Sequence, residues 1–337
     1  MGRKQRLKKL FNSRINNNNN NTNNTNNANT NNKNYFNNND SIVTNANNGI
    51  VGLKNLGNTC YMNASLQCLR NIKSFREHIF DENKNNLNGN NNKLIKSYYK
   101  FVHNIWEPAM NKTVMSPADI KNEFGKYKRN FSGFGQQDAQ EFIIYLLDAI
   151  HENTKNENKQ SIISELFVGK YKSTVVCGNC EHSSITYEDF MFLSLPVTEN
   201  LEKSLSMFSA HDDLDNNNKY KCEKCKHESI ATKMMQIHKM PNVLIVYLKR
   251  FNVHKKIDNY MDAPLTYINN NDGNTYELTG IVNHFGTKHG GHYTAYIRIN
   301  DVWFDMNDSS YRALKDSSNI VTNNAYILFY EKQNEYQ

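Results

Sequence analysis

The sequence predicts an α+β protein, with helices in the first half of its folded region and mostly antiparallel strands in the second. Three observations carry this. Apolar residues recur at helical spacing after Cys60 and again over about 137–151. From about residue 167 the pattern changes to apolar runs of strand length, such as 190–195 and 243–248. Within that strand-rich half lie two Cys-x-x-Cys pairs, each a short chelating hairpin.

Taken in order, residues 11–49 are mostly asparagine and too poor in apolar side chains to offset the entropy of ordering, so 1–49 is read as a disordered tail. Arg3, Lys4, Arg6, Lys8, Lys9, Arg14 and Lys33 stand there against Asp40 alone, a balance of +6 within the chain's net +7. The folded part, 50–332, is therefore nearly neutral, which argues against a nucleic-acid partner. Position 6 is Arg6 rather than Ser or Thr, so the pattern for N-myristoylation fails. No apolar run reaches the roughly 18 residues of a membrane span and there is no secretory leader, so an intracellular protein of cytoplasm, nucleus or both is expected.

The first helix is expected to begin at Cys60, with Ala64, Leu66, Cys68 and Leu69 as its buried stripe. Cys68 is read as a core residue. An Asn-rich loop follows at 81–93. The second strong helix, about 137–151, buries Ala139, Phe142, Ile143, Leu146, Leu147 and Ile150, and Ser132–Gly135 is its turn-like entry. Strands are expected at 190–195, 243–248, 275–284, 291–299 and 324–330, the first two bounded by Pro196 and by Pro241-Asn242. The two halves must then pack across a groove where groups from each can meet.

In a chain of this kind, six cysteines point to metal binding and catalysis rather than a disulfide framework. Cys177, Cys180, Cys222 and Cys225 supply four thiolates, enough to close a tetrahedral structural zinc site with no position left for water. His182 and His227 lie just outside the pairs and are read as surface residues, and 209–219 as a loop at the tip of the arm.

Cys60 stands at a helix start, where the dipole and unpaired N–H groups favour an anionic thiol, which makes it a candidate nucleophile. It needs a base. His292, in His289-Gly290-Gly291-His292-Tyr293, is the best candidate, because it opens a strand and its two glycines allow close approach. His284 is expected to end the preceding strand and line the groove, and His289 to sit in the exposed loop between the strands. A third group should orient the imidazole. Asp305, Asn307 and Asp308 can all return beside His292 after a turn near Asn300-Asp301, and spacing does not rank them. Asn55 can offer an amide to a developing oxyanion, together with the Cys60 backbone N–H, while Asn58 reads as a loop or capping residue.

The stretches GLKNLGNTCYMNASLQC (52–68), GQQDAQEF (135–142), the two Cys-x-x-Cys pairs, HFGTKHGGHYTAY (284–296) and AYILFY (325–330) together resemble the ubiquitin-specific protease family of deubiquitinating cysteine peptidases. The resemblance implies a papain-like, hand-shaped fold: a helical thumb at about 50–165, zinc-tipped fingers at about 168–240 and a mixed palm at about 241–332, with 333–337 as a short tail. It implies Cys60 as nucleophile, His292 as base, Asn55 as oxyanion donor, Asn307 as third triad member and Asp308 as its acidic neighbour. Met306 stands where the family usually has Phe, and an apolar side chain of similar length keeps the packing role. Asp138 and Glu141, three apart on the second helix, are expected to face the basic tail of ubiquitin, and Gly290, Gly291 and Tyr293 to line the channel for its terminal Gly-Gly. The expected activity is that of a monomeric ubiquitinyl hydrolase with ubiquitin and its conjugates as partners and a structural Zn2+. The alternatives are a hydrolase of a related modifier and a catalytically silent ubiquitin-binding scaffold.

Overall fold

The computed structural model describes residues 49–81, 92–107, 113–209, 219–316 and 319–333, and the backbone of 212–214. The tail read at 1–49 up to its last residue, most of the loop at 81–93, the last four residues and much of 209–219 lie outside the described residues, while Gly49 itself is buried and donates to the Ile105 carbonyl (3.3 Å).

The chain opens with β1 (Gly52–Leu53) and the helices α1 (Cys60–Asn71), α2 (Lys73–Phe80) and α3 (Lys93–Trp106). The short β2 (Val114–Met115) then pairs in parallel with β1. Next come α4 (Ala118–Tyr127), a 3-10 turn at Arg129–Phe131, α5 (Ala139–Thr154) and α6 (Ile162–Phe167). The strand-rich half runs through β3 (Gly169–Cys177), β4 (Ser183–Phe190), β5 (Phe192–Leu195), α7 (Leu201–Phe208), β6 (Asp212–Leu214), β7 (Tyr220–Lys221), β8 (Glu228–Ser229) and β9 (Ala231–Lys239). It ends with β10 (Val243–Leu248), β11 (Thr266–Ile268), β12 (Thr275–Thr287), β13 (Gly290–Ile299), β14 (Val302–Asn307), β15 (Ser310–Ala313) and β16 (Ala325–Lys332).

A large sheet in the order β15-β14-β13-β12-β16-β10-β5, with β11 added on β12, is antiparallel except where β5 joins β10. A second sheet, β4-β3-β9-β6, projects as the arm, and the hairpin β7–β8 lies beyond it. Two readings change here. The apolar run 190–195 is not one strand: it breaks at Met191, so Phe190 closes the arm sheet while β5 crosses to the large one. Within 209–219, Asp212–Leu214 pairs with β9 rather than forming loop throughout.

Helical periodicity predicts one buried stripe on α1, but every one of its twelve residues is buried. The helix lies between β12 and β13 on one side and α5 on the other, so no face meets water. Its polar residues find internal partners. Gln67 donates to the Val51 carbonyl (2.8 Å), and Asn71 donates to the carbonyls of Thr279 and Arg298 (both 3.0 Å). Cys68 is buried against Gly280, where an added Cβ would come within 3.2 Å of its sulfur. One apolar core therefore fills the space between the helices and the sheet, and a second covers the sheet's opposite face. Among the described residues, no helix is long and apolar enough to cross a membrane.

Candidate active site

Cys60 is the first residue of α1 and only 6% exposed. The turn that delivers it is tight, with positive φ at Gly57 (101°) and Asn58 (52°), and a Cβ on Gly57 would press on the Phe134 ring at 2.7 Å. Thr59 holds the N-cap position but makes no capping bond. Its hydroxyl accepts the Leu56 N–H (2.9 Å) and donates to Asn55 Oδ1 (3.3 Å), so no side-chain cap stands over the helix end beside the thiol. Asn58 ties the turn across the groove by donating to the Phe134 carbonyl (2.7 Å).

His292 comes from the third position of β13, and Nε2 donates to Asn307 Oδ1 at 2.7 Å. The antiparallel pairing of β13 with β14 brings Asn307 back beside it. The imidazole is raised to about 9, chiefly by its side-chain hydrogen bond with Cys60. Burial opposes the rise, whereas the bond to Asn307 and the charges of Cys60 and Asp308 add to it. The three groups thus converge from a helix N-terminus and two neighbouring strands.

The other candidates fall into different roles. Asp308 spends its oxygens on the Cys60 side: its carboxylate accepts from Asn55 Nδ2 (2.8 Å) and Asn63 Nδ2 (2.7 Å), and its carbonyl accepts the Leu53 N–H (2.6 Å). It therefore fastens the loop before Cys60 to the end of β14. Asn55 is engaged on both sides, its Oδ1 accepting the N–H groups of Gly57 (3.0 Å) and Thr59 (3.2 Å). Asp305 pairs with Arg312 (3.0 Å) rather than with His292.

His284 does not end its strand, because β12 continues to Thr287. It is buried against the rings of Phe251, Tyr293 and Tyr326, and burial, followed by the Lys256 charge, pulls it down to about 4. His289 is exposed in the hairpin turn.

Asp138 is the N-cap of α5, not a residue of its face, and accepts the Glu141 N–H (3.1 Å). Its carboxylate also accepts the hydroxyls of Tyr326 (2.6 Å) and Tyr293 (3.3 Å) from the large sheet. Glu141 is turned elsewhere: the residue is exposed overall, yet burial of its carboxyl and the Asp138 charge raise it while a hydrogen bond from Tyr145 holds it down.

The glycines before His292 are constrained by the protein itself. A Cβ on Gly291 would lie 2.2 Å from the Phe285 carbonyl oxygen and 2.5 Å from His284 Nε2, and one on Gly290 would lie 3.0 Å from Gln136 Oε1. Sequence reasoning missed Gln136, whose amide accepts the Gly291 N–H (3.1 Å) and donates to its carbonyl (3.3 Å). It also missed Asn63 and Tyr326.

At the arm's end the four cysteine sulfurs lie within 4.8 Å of one another. Cys177 to Cys225 is 4.0 Å and Cys180 to Cys222 is 3.6 Å, bracketing the about 3.8 Å between sulfurs that share a tetrahedral zinc at ~2.3 Å each. Both knuckles are built alike. The backbone N–H groups of Cys177 and Cys222 donate to the carbonyls of His182 and His227 (both 3.0 Å), and the residue after each second cysteine, Glu181 or Lys226, has positive φ. The His227 backbone N–H helps draw Cys225 down to about 6, while Cys180, against a backbone hydrogen bond from His182, is pushed up to about 11 by burial and then by crowding from the other sulfurs. Such crowding is what a dication relieves.

The family model for ubiquitin carboxyl-terminal hydrolase matches residues 51–330, and the chain belongs to this family. Ubiquitin carboxyl-terminal hydrolase 2 of Bos taurus is 32% identical over 331 residues, covering 83% of this chain and 54% of its own length. The Homo sapiens protein of that name is also 32% identical with the same coverage. The chain thus spans about half the length of these relatives. Among solved structures, a SAGA DUB module of Ubp8, Sgf11, Sus1 and Sgf73 bound to monoubiquitin superposes with a TM-score of 0.77 at 28% identity, covering 86% of this chain and 70% of that one. The same module bound to ubiquitin aldehyde gives 0.74 at 28%, covering 87% and 72%. The α+β fold is that of the ubiquitin-specific proteases.

Proposed function

We propose that this protein is a thiol-dependent deubiquitinase that hydrolyses the isopeptide or peptide bond after the C-terminal glycine of ubiquitin. The observation that carries the reading is His292 bonded to Asn307 and electrostatically coupled to the Cys60 thiol at the start of α1. Relatives named as ubiquitin carboxyl-terminal hydrolases and Ubp8 modules bound to ubiquitin support it. Cys60 thiolate attacks the glycine carbonyl, and the tetrahedral oxyanion is met by the Cys60 backbone N–H and by the Asn55 amide hydrogen not given to Asp308. His292, held in one tautomer by Asn307, gives its proton to the departing lysine amine. It then takes a proton from water, whose oxygen attacks the thioester carbonyl; Cys60 leaves as thiolate and ubiquitin leaves with a free carboxylate.

Asp138, held by Tyr293 and Tyr326, supplies negative charge at the mouth of the groove for the basic ubiquitin tail, with Gly290, Gly291 and Tyr293 forming the wall beside His292. Cys177, Cys180, Cys222 and Cys225 would hold a structural Zn2+, which would join the two knuckles and supply no reacting group. We read the catalytic unit as a monomer acting on conjugates in cytoplasm or nucleus. The test is fluorophore release from a C-terminal ubiquitin amide, wild type beside Cys60→Ala. Release that needs Cys60 supports the reading; binding without release would leave a scaffold. The same assay with other ubiquitin-like modifiers separates the remaining alternative.

A further inference from the structure

Behind the His292–Asn307 pair, the large sheet carries a row of buried polar groups that the mechanism above does not use. Asn283 pairs across β12 and β13 with Thr294, and Tyr296 pairs across β13 and β14 with Asp305. Side chains alternate along a strand and directly paired residues share a face, so His292, Thr294, Tyr296, Asn283, Asp305 and Asn307 all belong to one face. Asn283 is 0% and Thr294 5% exposed. Both amide atoms of Asn283, the hydroxyl of Thr294 and Oδ1 of Asp305 are buried with no hydrogen-bond partner in the protein. Buried polar atoms at this density are satisfied by ordered water, because leaving them bare costs about 1–3 kcal/mol each. Asp305 Oδ2 faces outward, accepting from Arg312 Nε (3.2 Å) and Nη2 (3.0 Å). Its other oxygen is turned in.

We propose that Asp305 is a positioning residue for His292: its inward oxygen, linked through water held by Asn283 and Thr294, provides the negative charge that the neutral Asn307 lacks. The inference rests on the reading of Cys60 and His292 as nucleophile and base. Burial raises the Asp305 carboxyl, and Arg312, then His292, pull it down. Since Coulomb coupling is mutual, Asp305 favours the imidazolium, behind the larger effects of Cys60, Asn307 and Asp308. The other titratable and charged groups are Tyr296 on this face, raised by burial and then by the Asp305 charge, His284 on the opposite face of β12, with Lys256 and Asp258 behind it, and Arg312 on β15. Arg312 opposes Asp305, and its side chain is 75% exposed against 14% for Asp305.

The experiment uses the full chain with Asp305→Asn and Arg312→Gln. The pH profile of kcat/KM on the ubiquitin amide is measured beside NMR titration of His292 in a Cys60→Ala background, which needs no turnover. Asp305→Asn should move the alkaline limb, and the His292 titration, down by about half a pH unit or more. Arg312→Gln, which unmasks the carboxylate, should move both upward. Unmoved titrations in either variant would overturn the proposal, as would a downward shift in both, the mark of an ion pair that merely braces β14 against β15. If wild type shows no Cys60-dependent turnover, the functional reading fails while the NMR arm still decides the coupling.

Discussion

His292 and His284 lie eight residues apart on adjacent strands, yet their surroundings drive them in opposite directions. Burial among aromatic rings holds His284 down at about 4, so it stays neutral at physiological pH, whereas the Cys60 bond lifts His292 to about 9. For His292, whose folded value is raised, the stabilisation is complete below its unfolded value of about 6.5 and is lost as pH rises through about 9. Because Cys60 is the largest contributor, Cys60→Ala should lower the His292 titration by at least about one pH unit in NMR while leaving His284 near its wild-type value. An unchanged His292 would mean that the two side chains do not interact. Glycines and strand position, together with the family resemblance, ranked His292 first in the sequence. The burial of His284 was hidden, because it depends on Phe251 and Tyr326 arriving from distant parts of the chain.

Among the elements, the arm is the one whose own apolar content is too thin to hold it: along β4 only Phe190 is buried and Ser184 half-buried, and the other residues are exposed. Its far end depends on the two cysteine knuckles. On the zinc reading, a chelator, or Cys222→Ser, should raise amide exchange in β7, β8 and the adjoining ends of β3 and β9 while α1, β13 and β14 stay protected. Activity toward the ubiquitin amide should then fall mainly through a higher KM, since Cys60, His292 and Asn307 sit on other elements. Equal loss of protection in both regions would show that the arm and the site unfold as one. The paired spacing made the cluster legible before any fold was known. The crossing of β5 to the large sheet was not, because Phe190–Leu195 reads as one apolar run and only a partner strand, β10, decides where it breaks.

Across the full fold, the helical half and the sheet are joined by contacts that span nearly the entire folded chain. Glu331, on the last strand, accepts the N–H groups of Lys73 (3.0 Å) and Ser74 (2.7 Å) and so caps α2 from 257 or more residues away. Glu331→Ala should cost about 1–2 kcal/mol, read as a lower midpoint in denaturant with an unchanged slope, and should leave kcat near wild type. An unshifted midpoint would mean that water replaces the cap at no cost. Asp308 joins the same halves at the site by holding Asn55 and Asn63, a role that its expected place beside the imidazole did not reveal.

Local sequence sufficed for the α+β plan, the cysteine at a helix start, the histidine at a strand start and the four-sulfur cluster. Each of these is written in periodicity or short spacing, which a chain displays before it folds. Only the assembled fold shows that α1 is buried on every side and that Asp138 turns to two tyrosines while Glu141 does not, and it brings to the imidazole the Asn307 that spacing left level with Asp305 and Asp308 and that the family resemblance had singled out. Those outcomes rest on strand register and on contacts between residues far apart in the chain, where a shift of one position sends a side chain to the opposite face.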